Sequence, residues 1–463
     1  MSYGKWYWEV LITATNPAIG ITNASASLSA SYVGSDANGW CYYPADGQKY
    51  TNGTGSAYGA TATTNDVVGI AFNADAGSIV FYKNNVSQGT AFTGLTSGPY
   101  FPSISRGNGS PSASVNFGQR PFAYTAPSGF KALCTQNLPQ PTIQKPSTAM
   151  DVVTYTGTGA SQSISSLGFS PDLVWIKGRS GATDHALYDT TRGATFDLVA
   201  NSTAAQTTQA QGLTAFGSNG FTVGTLAKLN TNTSTYVAWA WDKTALDGFD
   251  IVSYAGNSST QNISHGLGVS PSMIIVKTYS PSVDAGEGNW CVYHKSLGAN
   301  KFAYLDLANA AVTSTTIWNN TSPTASVFSL GNDNNVNKTG KTQIAYCFAE
   351  IEGYSKFGSF AGNSSADGPF VWCGFRPAFV LFKANLNEAY WGIIDNKRNL
   401  HNLSDLSIFV GIPNSEFSTL AKIDILSNGF KVRSGGNDNI NYSGYDTIFA
   451  AFAESPFKYA RAR

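Results

Sequence analysis

The chain has 463 residues, with 28 Lys+Arg against 28 Asp+Glu and therefore a formal charge of zero. Charged residues make up 12% of it, about half of the roughly 25% usual in a soluble globular protein. That balance argues against a nucleic-acid binder, which needs a basic excess, and 42% hydrophobic residues argue against disorder. At about 100–150 residues per domain the length predicts three to four domains. The start, Met1-Ser2-Tyr3-Gly4-Lys5-Trp6, lacks the basic-then-apolar order of a secretory signal. No apolar run approaches the roughly 20 residues of a membrane helix, so no membrane insertion is expected.

In chain order, the first predicted elements are strands. KWYWEV at 5–10 keeps Glu9 among apolar residues, Ile19-Gly20-Ile21 follows, and GWCYYPADGQKY at 39–50 reads as an aromatic loop. VVGIAFNADAGSIVFYKNNVSQG at 67–89 reads as a hairpin that turns at Asp75-Ala76-Gly77. YFPSIS at 100–105 and VNFGQRPFAY at 115–124 complete the set. The five cysteines (Cys41, Cys134, Cys291, Cys347, Cys373) form no CxxC pair. They read as reduced core residues of a chain made in a reducing cytoplasm, with no metal bound.

Residues 135–150, with Pro139, Pro141 and Pro146, read as a semi-rigid linker. Beyond it the chain repeats. DVVTYTG, DIVSYAG and KFGSFAG open three units. Each continues to a proline, an apolar run and a lysine (PDLVWIK, PSMIIVK, PAFVLFK), then to an aromatic segment (HALYD, NWCVYH, YWGIID). Each closes on an aromatic-alanine strand (VAWAWD, AYCFAE, FAAFAE). The uninterrupted apolar runs predict strands covered on both faces, with Trp175, Ile275 and Leu381 inside and the proline at the strand start. Units of about 100 residues are long enough to hold their own cores, so the expectation is a tandem array of domains. The recurring lysines Lys177, Lys277 and Lys383 are read as leaving the core toward water or the acids Asp242, Glu350 and Glu454. One site per repeat is the other option.

The N-terminal segments, taken together over 4–134, resemble the SPRY family, which implies a bent two-sheet β-sandwich used for protein recognition. SPRY domains normally begin with a strand or more before the KWYWEV-like segment, and four residues precede it here. Either another chain covers an uncovered edge or the N-terminus is truncated. DAGSIVFYKNNVSQGTAF at 75–92 and NFGQRPFAYTAPSGFKAL at 116–133 are similar to SPRY-like modules of tailed-phage structural proteins. The three units resemble a repeat in marine and cyanobacterial phage virion proteins, and FAAFAESPFKYARAR at 449–463 resembles their C-terminal ends. The resemblance implies a virion component without enzymatic activity.

Catalytic signals are sparse. His185, His265, His294 and His401 have no metal-ligand spacing, and no GxSxG elbow exists. The carboxylate pairs Asp284 with Glu287 and Glu350 with Glu352 are the candidates for glycoside hydrolysis, but they lie in polar loops or at strand ends. The Asn/Asp-rich stretches at 332–337 and 435–441 offer oxygen ligands for calcium but read as turns. A recognition surface is expected from Trp40, Tyr42, Tyr43 and Tyr50, because flat aromatic faces suit glycan or protein binding.

The expected fold is all-β: a SPRY-like β-sandwich at 1–134, the linker at 135–150, and three related β-sandwich domains at 151–249, 250–355 and 356–463. The expected function is a non-enzymatic bacteriophage virion protein of the particle surface, assembled in the host cytoplasm, with no cofactor or metal. It would act as a tail-fibre or receptor-binding component, alternatively as a head fibre or capsid decoration, or as a glycan-degrading tail enzyme. Expected partners are other virion proteins and a host glycan or protein receptor, in a homo-oligomer with a trimer favoured.

Overall fold

The computed structural model describes residues 1–14, 17–27, 31–105, 111–138, 140–280, 283–284, 287–436 and 439–458. It is all-β, in two compact units, Met1–Pro139 and Gln140–Arg463.

The first unit runs β1 (Lys5–Ala14), β2 (Ala18–Asn23), β3 (Gly39–Tyr43), β4 (Gln48–Thr51), β5 (Thr54–Ala57) and β6 (Val67–Asn73). It continues with β7 (Ser78–Lys83), β8 (Val86–Phe92), β9 (Tyr100–Ser105), β10 (Ser112–Asn116) and the short β11 (Lys131–Ala132). One sheet has the order β10-β1-β6-β7-β8, the other β5-β4-β3-β2-β9. Alternating residues such as Trp8, Val10, Ile19, Ile21, Tyr42, Ile70 and Phe81 form the core between them. The expectation of an uncovered edge beside the first strand is corrected. β10 pairs along Glu9–Ala14 and β11 along Trp6–Tyr7, so the unit's own C-terminal segments cover β1. The buried Glu9 explains why they dock there. Its carboxylate accepts the amides of Ala123 (2.7 Å) and Tyr124 (2.9 Å) and the Tyr7 hydroxyl (3.2 Å), which satisfies an otherwise costly buried charge.

In the second unit the three repeats build sheets with one strand order. In the first the order is Met150–Thr156, Thr235–Trp241, Leu173–Gly178, Ala186–Asp189 and Phe196–Val199, with Thr207–Thr208 at the edge. The lysine strand is thus central, and Leu173–Gly178 is buried at every position, as its apolar run predicted. In the third repeat the proline lies within the strand Phe375–Ala384, where the register shifts around Pro377, a position at which a missing amide is tolerated.

The lysine strands of the first two repeats each serve two cores, whereas both faces of the third pack into one. Val174 and Ile176 face a core of the first repeat alone, and Ile274 and Val276 one of the second. Trp175, Ile275 and Leu381 face a single cluster that draws Trp239 and Trp241, Tyr346 and Phe348, and Phe449 and Phe452 from the three repeats. The expectation of an array held only by separate cores is corrected accordingly. The linker reading is also corrected in its second half, because Ile143 and Ala149 join this shared cluster and Pro146 is buried.

The buried lysines bind the repeats into a ring. Lys177 of the first repeat donates to the carbonyls of Pro413 (3.2 Å) and Asn414 (2.8 Å) in the third. Lys277 of the second donates to Thr203 (2.6 Å) in the first, and Lys383 of the third to Ala308 (3.4 Å) in the second. The aromatic segments follow the same rule. His185 Nε2 bonds the Phe409 carbonyl (3.1 Å), Trp290 Nε1 that of Val199 (3.1 Å) and Trp391 Nε1 that of Tyr304 (2.9 Å).

A common core predicts a common fate. Leu381→Ala should cost about 2–5 kcal/mol. In hydrogen exchange it should lower protection of Leu173–Gly178 and Met273–Val276 as much as that of its own strand. Loss confined to the third repeat would contradict the shared core.

Candidate functional site

The aromatic stretch at 39–50 is a hairpin of β3 and β4 and not a loop. Strand alternation sorts its side chains. Tyr42 points into the sandwich, fully buried, with its hydroxyl donating to the Ala60 carbonyl and burial raising its pKa to about 12. Trp40 lies half-buried against the same core, edge-on to Tyr100 at 5.6 Å between centroids. Neither forms part of an open surface platform. Tyr43 and Tyr50 face the other way, 6.3 Å apart, and Tyr32 packs edge-on to Tyr50 at 5.9 Å. The Tyr50 hydroxyl donates to Asp46 Oδ2 at 2.6 Å, and this bond is the first reason its pKa is pushed up to about 12. The outer face of the five-stranded sheet therefore carries three partly exposed tyrosines held at fixed angles.

Beside them lies a cavity of about 180 Å³, lined by Thr22, Ser27, Tyr32, Asp36, Ser103 and Ile104 among others. Tyr32 belongs to both features. Val33, Gly34 and Asp36, which help line the cavity, are tied down by Val33 N to Ser105 Oγ (2.7 Å), Gly53 N to Gly34 O (2.9 Å) and Asn52 N to Asp36 O (2.9 Å). Gly34 has φ +94°, and a Cβ there would meet the Tyr50 carbonyl at 2.6 Å, so the close approach requires glycine. The sequence reading missed Tyr32, Asp36 and Asp46. The available signal was the ASYVGSDANG stretch, with its two glycines and the acid Asp36 just before the hairpin. A second exposed aromatic pair, Phe370 and Trp372, flanks the buried Val371, where the first repeat has Ser163 and Ser165 around Ile164.

The other candidate residues are committed to structure. His185 and His294 are fully buried, and burial pushes the first well below its ordinary pKa and the second to about 4. Trp175 Nε1 donates to His185 Nδ1 at 3.0 Å, leaving Nε2 protonated toward Phe409. Asp284 and Glu287 both bind Lys338. Burial pushes the Glu350 carboxyl up, but Lys295 and Lys356 together hold it below its usual range. In 332–337, Asp333 caps the short helix Asn334–Asn337. Asn337 accepts from Asn257 N (2.9 Å) and donates to Gly331 O (2.6 Å). Residues 437–438 of the other Asn-rich stretch lie outside the described residues. Among those described, no three His, Cys, Asp or Glu side chains are grouped to hold a metal. The recurring lysines do not leave the core. Burial lowers each to about 8, with Asp184 opposing it at Lys177 and Asp306 at Lys277.

A family model described as "Domain of unknown function (DUF7483)" matches residues 145–456, more than half of the chain. The chain belongs to this family. A SPRY domain model matches residues 5–120, so the first unit of this DUF7483 protein is a SPRY domain. Over 126 residues the chain is 33% identical to Ran-binding protein 9 of Xenopus tropicalis, covering 26% of this chain and 23% of the relative. It is 33% identical over 137 residues to the E3 ubiquitin-protein ligase RKP of Arabidopsis thaliana, covering 28% and 10%. The chain thus spans less than a quarter of the length of these curated relatives. The solved SPRY domain of human HERC1 matches at 18% identity with TM-score 0.23, covering 25% of this chain and 75% of that one. These findings correct the expected function. The SPRY relatives are animal Ran-binding proteins and a plant ubiquitin ligase, which overturns the virion role in all three forms, tail fibre, head decoration and tail enzyme. The expected partners, virion proteins and a host-cell receptor, are corrected with it.

The lysine shifts have a definite sign. A lysine at about 8 in the folded chain and 10.5 when unfolded is bound by more protons in the unfolded state between those values, so its contribution to stability rises with pH there. Denaturant unfolding should show a slope between pH 8.5 and 10 steeper than that of Lys383→Met, by up to about 1.4 kcal/mol per pH unit. Equal slopes would contradict a depressed Lys383.

Proposed function

We propose that the SPRY unit is a non-enzymatic protein-recognition module, with its contact surface on the outer face of the five-stranded sheet. The observation that carries this reading is the continuity of the Tyr32–Tyr50–Tyr43 cluster with the adjoining cavity. Tyrosines suit such surfaces because they supply apolar area and a polar tip at low entropic cost. Relatives named for binding Ran and for ligating ubiquitin to proteins support a protein as the partner. The commitment of His185, His294 and the candidate carboxylates to buried or ion-paired roles supports the absence of catalysis. The shared strand order and equivalent cross-repeat bonds support reading the three DUF7483 segments as copies of one unit with a scaffolding role.

Panning the full chain against a displayed library of random dodecapeptides tests the module. Peptides enriched on it should bind about tenfold more weakly to Tyr43→Ser and to Tyr50→Ser, and equally well to Trp372→Ser. No enrichment, or enriched peptides indifferent to both tyrosines, would contradict the reading.

A further inference from the structure

We propose that the cavity lined by Thr22, Ser27, Tyr32, Asp36 and Ser103 is a specificity pocket for a basic side chain, arginine or lysine, of a peptide partner. The inference rests on the reading of the SPRY unit as a recognition module and assigns the chemistry of what it recognises.

The pocket is built into the fold. β2 and β9 pair with Gly20 opposite Ser103 and Thr22 opposite Phe101, and Ile19 and Ile21 between them face the core. The outward residues Ala18, Gly20, Thr22, Ser103 and Ser105 are small and leave a low floor, with the exposed Phe101 opposite Thr22 at its end. The bonds from Val33 to Ser105 and from Gly34 and Asp36 to the β4–β5 turn fix this part of the lining beside that floor. The space left, about 180 Å³, corresponds to roughly six waters, which a single long side chain can replace.

Its lining selects for positive charge. Asp36 is the one carboxylate among the described lining residues, and none of them carries a cation. Asp36 Oδ1 accepts the Asn38 amide at 2.8 Å and Oδ2 the Ser27 amide at a long 3.4 Å. A carboxylate has about four acceptor positions, so two remain for a ligand. An anionic group would face this carboxylate without a counter-charge, and an apolar one would strip its water without replacing the bonds. A guanidinium or ammonium would take the free positions as charge-assisted hydrogen bonds. The hydroxyls of Thr22, Ser27 and Ser103 can accept its further protons, and Val33, Ile104 and the Tyr32 ring can pack its aliphatic stem.

The test compares peptides selected on the full chain. They should share one arginine or lysine position, and replacing that residue with alanine should weaken binding to the wild-type chain about tenfold. Exchanging arginine and lysine at that position tells which head the pocket prefers. On Asp36→Asn, which keeps Oδ1 for the Asn38 amide, the alanine replacement should cost little. Ser27→Arg, at an exposed loop position, places a cation at the mouth of the pocket and should weaken the basic peptides selectively. Unfolding midpoints confirm that both variants fold. Peptides that bind with no required basic position, or an alanine penalty unchanged on Asp36→Asn, would overturn the pocket and leave the tyrosine face standing. A selection that enriches nothing would overturn both.

Discussion

The DUF7483 unit depends on buried donors that each repeat hands to the next. Lys177, Lys277 and Lys383 lie in the middle of their own sheets yet donate to backbone carbonyls of the third, first and second repeats, respectively. A fully buried ammonium is costly unless its hydrogens are satisfied, and each lysine finds carbonyls at home as well, such as Gly178 for Lys177 and Ala389 for Lys383. The apolar faces of the same strands close on one cluster. A repeat removed from the ring would expose half of its central strand and strand a buried charge.

A second set of contacts joins the strand beside each lysine strand to the other neighbouring repeat, and the repeats differ in it in a correlated manner. Asp189 of the first repeat accepts the hydroxyl of Tyr346 from the second (2.8 Å), and Asp395 of the third accepts Trp239 Nε1 from the first (3.0 Å). Each aspartate is neutralised by the arginine three residues on, Arg192 or Arg398, with both side chains of each pair fully buried. At the remaining junction the donor position opposite Leu381 is Ala450, which has nothing to give. There the aspartate position is His294, whose Nε2 bonds the Phe449 carbonyl at 3.0 Å, and the arginine position is Leu297. All three positions change together, as they must if no buried charge is to be left alone.

Much of this order was legible in the sequence. Four landmarks recurring in register located the repeats, and the unalternating runs at Leu173, Met273 and Phe379 announced strands buried on both faces. What the second face packs against was not legible, because an apolar residue carries no record of its partner. The lysines misled for the same reason: Lys ordinarily snorkels to water, and only the neighbouring repeat supplies the carbonyls that permit its burial. In the SPRY domain the sequence at 39–50 reads as a loop although it forms a hairpin, since Pro44, Asp46 and Gly47 dominate its centre. Once it is a hairpin, alternation removes Tyr42 from the surface and assigns Tyr43 and Tyr50 to it. Asp36 and Tyr32 became visible only once the fold brought them into one cavity with Thr22 and Ser103.

The two units thus divide their labour in physical terms. In the SPRY domain small outward residues of β2 and β9 border an open cavity, while in the DUF7483 unit the recurring lysines and aromatic-segment donors are spent on internal bonds. Ring closure is the central claim, and removing the third repeat tests it most directly. A chain ending at residue 355 leaves Lys177 without Pro413 and Asn414 and exposes the aromatic face shared with Phe379 and Phe452. Amide protection in the lysine strands of the first two repeats should then fall to that of unfolded chain, while the SPRY domain keeps its own. Native protection persisting in Leu173–Gly178 and Met273–Val276 would contradict the account.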